Sequence, residues 1–188
     1  MKDIRVQNLA KSLVQYSVRA KSRELIAVDG TAQGEPLMLA VYEELIRAGA
    51  FPVTRMALSE ASEIFFKLGK PHHFTSITPL QRAMADYLDG SIYIDSSPNT
   101  RALSAVDPKK QALYSRTTKP LREKMMKKKW CITLFPTQAY AQDAEMSLSD
   151  FEDFVYTATF TDTKDPVAAW QALSKKQERL IHKLRGAH

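Results

Sequence analysis

The segment richest in reactive side chains is 95–101, which reads Asp-Ser-Ser-Pro-Asn-Thr-Arg and directly follows an apolar run. It offers a carboxylate from Asp95, a hydroxyl from Ser96, an amide from Asn99 and a guanidinium from Arg101. Ligands of α/β proteins usually bind where strands end, so these four residues are predicted to face a cleft or an interface. Turn and capping chemistry explains most of the same residues and is the alternative interpretation.

Other reactive residues do not form a recognisable catalytic or metal-binding pattern. His72 and His73 are adjacent, and no cysteine or carboxylate stands at ligand spacing from them, which disfavours a zinc site. His182 and His188 stand alone, and Cys131 lies between two large apolar residues, so we expect it to be a buried, inert thiol. The sequence therefore predicts no catalytic, cofactor-binding or metal-binding residue.

The positive charge of the chain is concentrated in one segment. Residues 109–129 hold nine lysines and arginines and one acidic residue, Glu123, whereas the whole chain has a net charge of only +6. This segment could bind an anionic ligand or nucleic acid, and the turn at 29–34 could bind an anion, although the formation of a turn alone also explains its two glycines. No aromatic residues alternate with the lysines as single-strand binding requires, so nucleic acid is the less favoured partner. A solvated helix surface is the structural alternative.

The elements that must position these residues follow from hydrophobic periodicity. Four short apolar runs predict strands at 25–28, 53–58, 91–95 and 130–135, the first ending at Asp29-Gly30. Amphipathic spacing predicts helices at 3–18, 35–48, 59–69, 78–90 and 107–128 with a break at Pro120, then one capped by Ser147 and one starting at Asp165. This alternation predicts an α/β fold with a mostly parallel sheet of about four to five strands and helices on both faces. We expect a single domain over residues 1–188.

The composition of the chain indicates what class of protein it is and in which cellular compartment it folds. The chain has 188 residues, 44% hydrophobic and 26% charged, which suits one globular domain. No apolar run reaches the roughly 20 residues that a membrane-spanning helix needs. One cysteine cannot form an internal disulfide, and this favours the reducing cytoplasm.

The stretch from Trp130 to Phe154 resembles a known enzyme family. It predicts a buried strand, a proline turn, a short helix and a second, capped helix. The matching residues are Trp130, Thr133, Phe135-Pro136-Thr137, Ala139, Ala141-Gln142, Met146-Ser147-Leu148 and Phe151-Glu152-Asp153-Phe154. Weaker matches extend over the rest of the chain. In these residues the chain is similar to the thermophilic-type metallo-aminopeptidases, the family of aminopeptidase T and aminopeptidase S.

The resemblance implies an architecture and an activity. Members are two-domain, homodimeric exopeptidases that remove N-terminal residues from peptides with two divalent metals, zinc or cobalt. Their metal ligands lie in the C-terminal half, and this chain resembles only the N-terminal α/β domain. We therefore expect no metal on this chain and no catalysis by it alone, since peptides would be cleaved by the full-length enzyme. The end of the chain directly after an amphipathic helix suits a cut at a domain boundary. The alternative function is a stand-alone module that binds an anion or nucleic acid through segment 109–129.

Overall fold

A computed structural model describes residues 3–185 and contains a four-stranded parallel sheet. The strands are β1 (Leu25–Thr31), β2 (Phe51–Ala57), β3 (Gly90–Asp95) and β4 (Lys129–Leu134), in the order β2-β1-β3-β4. The α-helices are α1 (Ile4–Lys11), α2 (Glu35–Arg47), α3 (Ala61–Leu68), α4 (Pro71–Thr75), α5 (Pro79–Tyr87), α6 (Pro108–Met126), α7 (Gln138–Asp143), α8 (Leu148–Ala158) and α9 (Pro166–Arg185). A π-helix (Ser12–Ser17) extends α1, and a 3₁₀ turn (Ala32–Gly34) precedes α2. The predicted parallel α/β fold is confirmed.

The main core lies on one face of the sheet. Alternate residues of the two central strands point to this face, which places Val28 beside Ile92 in the strand register. The apolar stripes predicted within 3–18 and 35–48 cover them, and Leu9, Leu37 and Val41 are buried. Each such side chain contributes about 1.5–3 kcal/mol on leaving water, so this layer holds the sheet and the two helices together.

The opposite face is only partly covered. Near the β2 edge, Met84 of α5 reaches the guanidinium of Arg55, and α5 and α6 enclose a hollow there. At the other edge, Trp130 and Ile132 of β4 are 47% and 63% exposed. The prediction that this strand is buried is wrong, because β4 is an edge strand and only alternate residues such as Cys131 turn toward the core. Partial burial still raises the pKa of the Cys131 thiol, which agrees with an unreactive cysteine.

Helix starts follow local capping chemistry. The Gln81 N–H donates to Thr78 Oγ1 at 3.3 Å, and the Thr78 N–H donates to Gln81 Oε1 at 2.8 Å, which completes a capping box. The Asp150 N–H donates to Ser147 Oγ at 3.1 Å, so Ser147 caps α8 as predicted. These local hydrogen bonds fix where α5 and α8 begin.

Two local predictions are wrong. β1 continues through Asp29 and Gly30 to Thr31, because β2 pairs with β1 as far as Thr31 and β3 pairs with it as far as Asp29. α6 runs uninterrupted through Pro120, which is exposed, so the carbonyl that loses its hydrogen bond can face water. None of the helices among residues 3–185 is long and apolar enough to cross a membrane.

Candidate functional site

A cleft opens at the carboxyl edge of the sheet, where α/β proteins most often bind ligands. Its volume is about 470 Å³, and its walls come from the loop after β2 and the start of α3, from β3 and the loop after it, and from α7. The lining residues are Ser59, Ser62, Tyr93, Ser97, Asn99, Thr100, Ala102, Leu103 and Tyr140. Hydroxyl groups and two phenol rings dominate this surface, so it offers hydrogen bonds and aromatic contact.

Tyr140 is the best-fixed side chain of the cleft. It lies on the first turn of α7, whose N-cap Thr137 accepts a hydrogen bond from the Tyr140 N–H at 3.4 Å. The Thr137 hydroxyl donates to the Ser97 carbonyl at 2.8 Å, which fastens α7 to the loop after β3. The Tyr140 hydroxyl donates to the carboxylate of Asp95. Burial and this carboxylate together raise the pKa of Tyr140, so the phenol keeps its proton at neutral pH.

Tyr93 stands in a row of polar residues that crosses the sheet. The strand register places Arg55 beside Asp29 and Asp29 beside Tyr93. Arg55 donates two hydrogen bonds to Asp29, with Nε at 2.5 Å from Oδ1, and the pair is bidentate. Burial, followed by the charges of Asp95 and Asp29, raises the pKa of Tyr93. Its ring is nevertheless 44% exposed, so it presents a neutral phenol to solvent.

Ser96, predicted as a cleft residue, is a buried structural link. It is 1% exposed, and its hydroxyl lies 2.9 Å from Thr31 Oγ1. The Thr31 hydroxyl donates to the Ser96 carbonyl at 2.7 Å, and the Thr31 N–H donates to Ser96 Oγ at 3.3 Å. Ser96 therefore joins the ends of β1 and β3 and does not face the cleft.

The other predicted residues divide between the cleft and the turn. Asn99 lines the cleft, and its Oδ1 accepts a hydrogen bond from the Arg101 N–H at 2.9 Å, which forms a local turn. The Arg101 side chain is 80% exposed, lies 3.8 Å from the Asp143 carboxylate and is not among the lining residues. Asp95 supports the cleft through Tyr140. The structure thus assigns turn and support contacts to residues that the sequence grouped as one polar loop.

Sequence reasoning did not select Tyr93 or Tyr140. Tyr93 alternates with Ile92 and Ile94 in β3, and this period of two signals a residue on the face opposite the core. Tyr140 is 45 residues from Asp95, and no local pattern links them. The strand order, which places β4 beside β3, is the information that brings them together.

The described residues do not fit a metal cage. Residues 3–185 contain no group of three or more His, Cys, Asp or Glu side chains that could hold a metal ion. His72 and His73 lie on α4 with ring centroids 4.1 Å apart, and His73 Nδ1 accepts a hydrogen bond from the Lys70 N–H at 2.9 Å. His188 lies outside the described residues.

Lysines of segment 109–129 hold neighbouring elements together. Lys110 Nζ donates to the Phe66 carbonyl at 2.8 Å, which joins α6 to α3. Lys129 Nζ binds the Glu24 carboxylate at 2.6 and 2.7 Å, and Lys124 pairs with Asp86. Several lysines of this segment therefore form contacts within the chain. The turn predicted at 29–34 also differs, since Asp29 is paired with Arg55 within the sheet.

Comparison with known proteins finds a solved structure with a similar fold and a matching protein family. The chain matches a solved structure of wild-type AmpT from Thermus thermophilus with a TM-score of 0.72 and 18% sequence identity. The match covers 95% of this chain and 48% of that one, so the chain spans about half the length of the structure that it matches. No curated protein matches the sequence. The family model described as thermophilic metalloprotease (M29) matches residues 2–188. The chain therefore belongs to the M29 family of thermophilic metalloproteases.

Proposed function

We propose that residues 1–188 form the N-terminal α/β domain of a two-domain metallo-aminopeptidase. The observation that carries this proposal is the match of residues 2–188 to the model of a metallopeptidase family. The chain matches 48% of AmpT, so about half of that protein has no counterpart here. We infer that a second domain of similar size follows residue 188 in the full enzyme and carries the catalytic metal ligands. That domain would bind two divalent metals, zinc or cobalt, which would activate water and polarise the scissile carbonyl.

The contribution of this chain is one wall of the substrate cleft. Tyr93 is a neutral phenol that can donate a hydrogen bond, and the rings of Tyr93 and Tyr140 can pack against peptide side chains, since the Tyr140 hydroxyl already donates to Asp95. The Asp95 contact holds the Tyr140 ring in place, which reduces the ordering that substrate binding would otherwise require. Ser59, Ser97 and Asn99 add polar groups at the rim. The proposed role is to bind and orient a short peptide, while bond cleavage belongs to the second domain.

Compartment and assembly are part of the same proposal. We infer a cytoplasmic enzyme, which is supported by the single cysteine, since one cysteine cannot form an internal disulfide. Its substrates would be peptides with a free N-terminus, and the full-length enzyme would be a homodimer.

The test compares a longer natural polypeptide that contains this domain with the domain alone. We expect the longer protein, loaded with zinc or cobalt, to hydrolyse an aminoacyl chromogenic substrate and to leave its N-acetylated counterpart intact. The N-acetylated substrate is the control for exopeptidase specificity. A longer protein that cleaves neither substrate with either metal would contradict the proposal. A coding sequence that stops directly after residue 188 would contradict the two-domain architecture.

A further inference from the structure

A hollow lies between α5, α6 and strand β2, on the sheet face opposite the main core. Its volume is about 280 Å³, and we call it the α5–α6 hollow. The lining residues are Arg55, Gln81, Met84, Ala85, Leu88, Tyr114, Thr118, Leu121, Arg122 and Met125. None of these described residues also lines the cleft at the carboxyl edge, so the hollow is a separate surface.

The floor of the α5–α6 hollow is apolar. Ala85 of α5 and Leu88 directly after it are buried. Met84, Leu121 and Met125 are partly buried and border the same space. Methionine side chains adapt their shape to an apolar neighbour. These five side chains can therefore cover an aliphatic chain, which gains free energy for each CH₂ group that leaves water.

Two polar lining residues carry hydrogen-bond donors that the fold does not use fully. The bidentate contact of Arg55 with Asp29 occupies Nε and Nη2, and Nη1 reaches the Met84 sulfur at 3.0 Å, which is a weak acceptor. The Tyr114 hydroxyl accepts a hydrogen bond from Gln81 Nε2 at 3.1 Å, and its own hydrogen has no acceptor among residues 3–185. Both donors are free to bind an anion in the hollow.

Arg122 adds a cation that has no carboxylate partner. Its Nη1 donates to Ser115 Oγ at 3.4 Å, and no salt bridge of the described residues includes Arg122. The neighbouring Lys119 differs, since it pairs with Glu123 at 3.6 Å. The described lining has two arginines and no acidic side chain, so the hollow is electropositive.

We propose that the α5–α6 hollow binds a small aliphatic monocarboxylate. Its carboxylate meets Arg55, Arg122 and the Tyr114 hydroxyl, while its chain lies on the apolar floor. Guanidinium groups suit this ligand because their N–H groups match the two oxygens of a carboxylate. At about 30 Å³ for each water-sized group, the hollow holds roughly nine non-hydrogen atoms, close to the size of octanoate.

The lining also determines which anions are excluded. A free amino acid carries an ammonium group, and the described lining offers this group no carboxylate, so its burial is unfavourable. Arg122 belongs to segment 109–129, and the anionic ligand predicted for that segment thereby has a defined place. The inference does not depend on the proposed enzymatic function, because it uses no residue of the cleft.

The first test follows the methionine methyl groups of the 188-residue chain by NMR during a titration with sodium octanoate. Met84 and Met125 line the hollow, whereas Met38 is buried in the main core and is the internal reference. We expect the Met84 and Met125 signals, assigned with methionine-to-leucine variants, to shift with a Kd of about 1 mM or below while Met38 stays unchanged. Octan-1-ol and octylammonium have the same chain without the anion and should bind about ten-fold more weakly or less. Signals that do not move with octanoate, or that move equally with octan-1-ol, overturn the proposal.

Two arginines of α6 separate specific binding from general attraction by the basic segment. Arg122→Gln should weaken octanoate binding about five-fold or more, and Tyr114→Phe, which keeps the aromatic ring, about two-fold or more. The matched control is Arg116→Gln, which removes the same charge from an exposed position of α6 outside the lining and should leave the Kd unchanged. Circular dichroism checks that each variant is folded. Equal weakening by Arg116→Gln and Arg122→Gln would assign the charge to non-specific attraction, as for nucleic acid, and overturn the proposal.

A second pair of ligands separates this site from a site for free amino acids. The compounds 4-methylpentanoate and leucine share their carbon skeleton and carboxylate, and only leucine carries an ammonium group. We expect 4-methylpentanoate to shift the Met84 and Met125 signals at concentrations about five-fold lower than leucine or less. Equal or tighter binding of leucine would assign the hollow to amino acids and overturn the proposal.

Discussion

The junction between Gly34 and Ser96 gives a quantitative test of how the loop after β3 is built. A Cβ atom added at Gly34 would lie 2.6 Å from Ser96 Oγ, 3.1 Å from Ser96 Cβ and 3.2 Å from Ile94 Cγ2. Gly34 has a φ of −84°, so alanine is compatible with its backbone. The substitution Gly34→Ala therefore sets a packing clash against a gain in backbone rigidity.

The sizes of these two effects decide whether Gly34→Ala stabilises or destabilises the folded chain. Replacing a compatible glycine with alanine normally stabilises a protein by about 0.4–1 kcal/mol through the unfolded state. Overpacking a close-fitted interior costs about 1–3 kcal/mol, and the contact to the buried Ser96 hydroxyl is shorter than any normal Cβ contact. The clash exceeds the gain, so Gly34→Ala should destabilise the chain by about 1–2 kcal/mol, or about 2–8 °C in Tm.

A double-mutant cycle isolates the cause. Ser96→Ala alone should cost about 1–3 kcal/mol, because the partly buried Thr31 N–H loses the acceptor that the buried Ser96 hydroxyl provides. In that background the 2.6 Å contact no longer exists, so Gly34→Ala should cost about 1 kcal/mol less than in the wild type. Urea unfolding followed by circular dichroism measures all four proteins. If Gly34→Ala stabilises the chain, or costs the same in both backgrounds, the description of Ser96 as a packed link is refuted.

Three further predictions concern the exposed strand and the cleft. The Trp170→Phe variant retains only the exposed Trp130, and the Trp130→Phe variant retains only the partly buried Trp170. The first variant should therefore show red-shifted fluorescence emission and stronger acrylamide quenching than the second. Equal quenching of the two variants would contradict the edge position of β4. Tyr140→Phe should lower stability by about 1 kcal/mol at pH 7, because it removes a hydrogen bond to the Asp95 carboxylate. Since the folded pKa of Tyr140 is raised, the wild-type advantage is complete below about pH 10 and declines above it, and a gap in urea midpoints that is the same at pH 7 and pH 11 would contradict this. In the proposed two-domain enzyme, Tyr93→Ala should raise KM for peptides about three-fold or more with little change in kcat, whereas an equal loss in kcat would assign Tyr93 to the chemical step.

Local chemistry made much of the fold predictable. Thr78 and Ser147 begin helices through hydrogen bonds that reach only three residues along the chain, so the sequence contains the whole signal. The stripe with Leu37, Val41 and Leu45 at helical spacing is fully buried because one face of α2 meets the sheet. The alternation of such helices with apolar runs was sufficient to predict the parallel sheet.

Strand order was the missing information. Trp130 and Ile132 belong to an apolar run that looks buried, yet β4 lies at the sheet edge, and α5 and α6 cover the opposite face near β2. The same information brings Tyr140 to Asp95 across 45 residues. The polar loop was located correctly at a strand end, but the burial of Ser96 depends on its contact with β1. The roles of the cleft side chains therefore could not be predicted without knowing the order of the strands in the sheet.

Hydrolysis by the isolated chain is the measurement that tests the central claim most directly. The claim is that this member of the M29 family contributes a substrate-binding wall and that the catalytic metals are bound elsewhere in a longer enzyme. Purified 188-residue chain, incubated with zinc or cobalt and an aminoacyl chromogenic substrate, should show no turnover above the metal-only control. Metal-dependent turnover that follows the chain through its final purification step, at a constant rate per mole of protein, would contradict the claim.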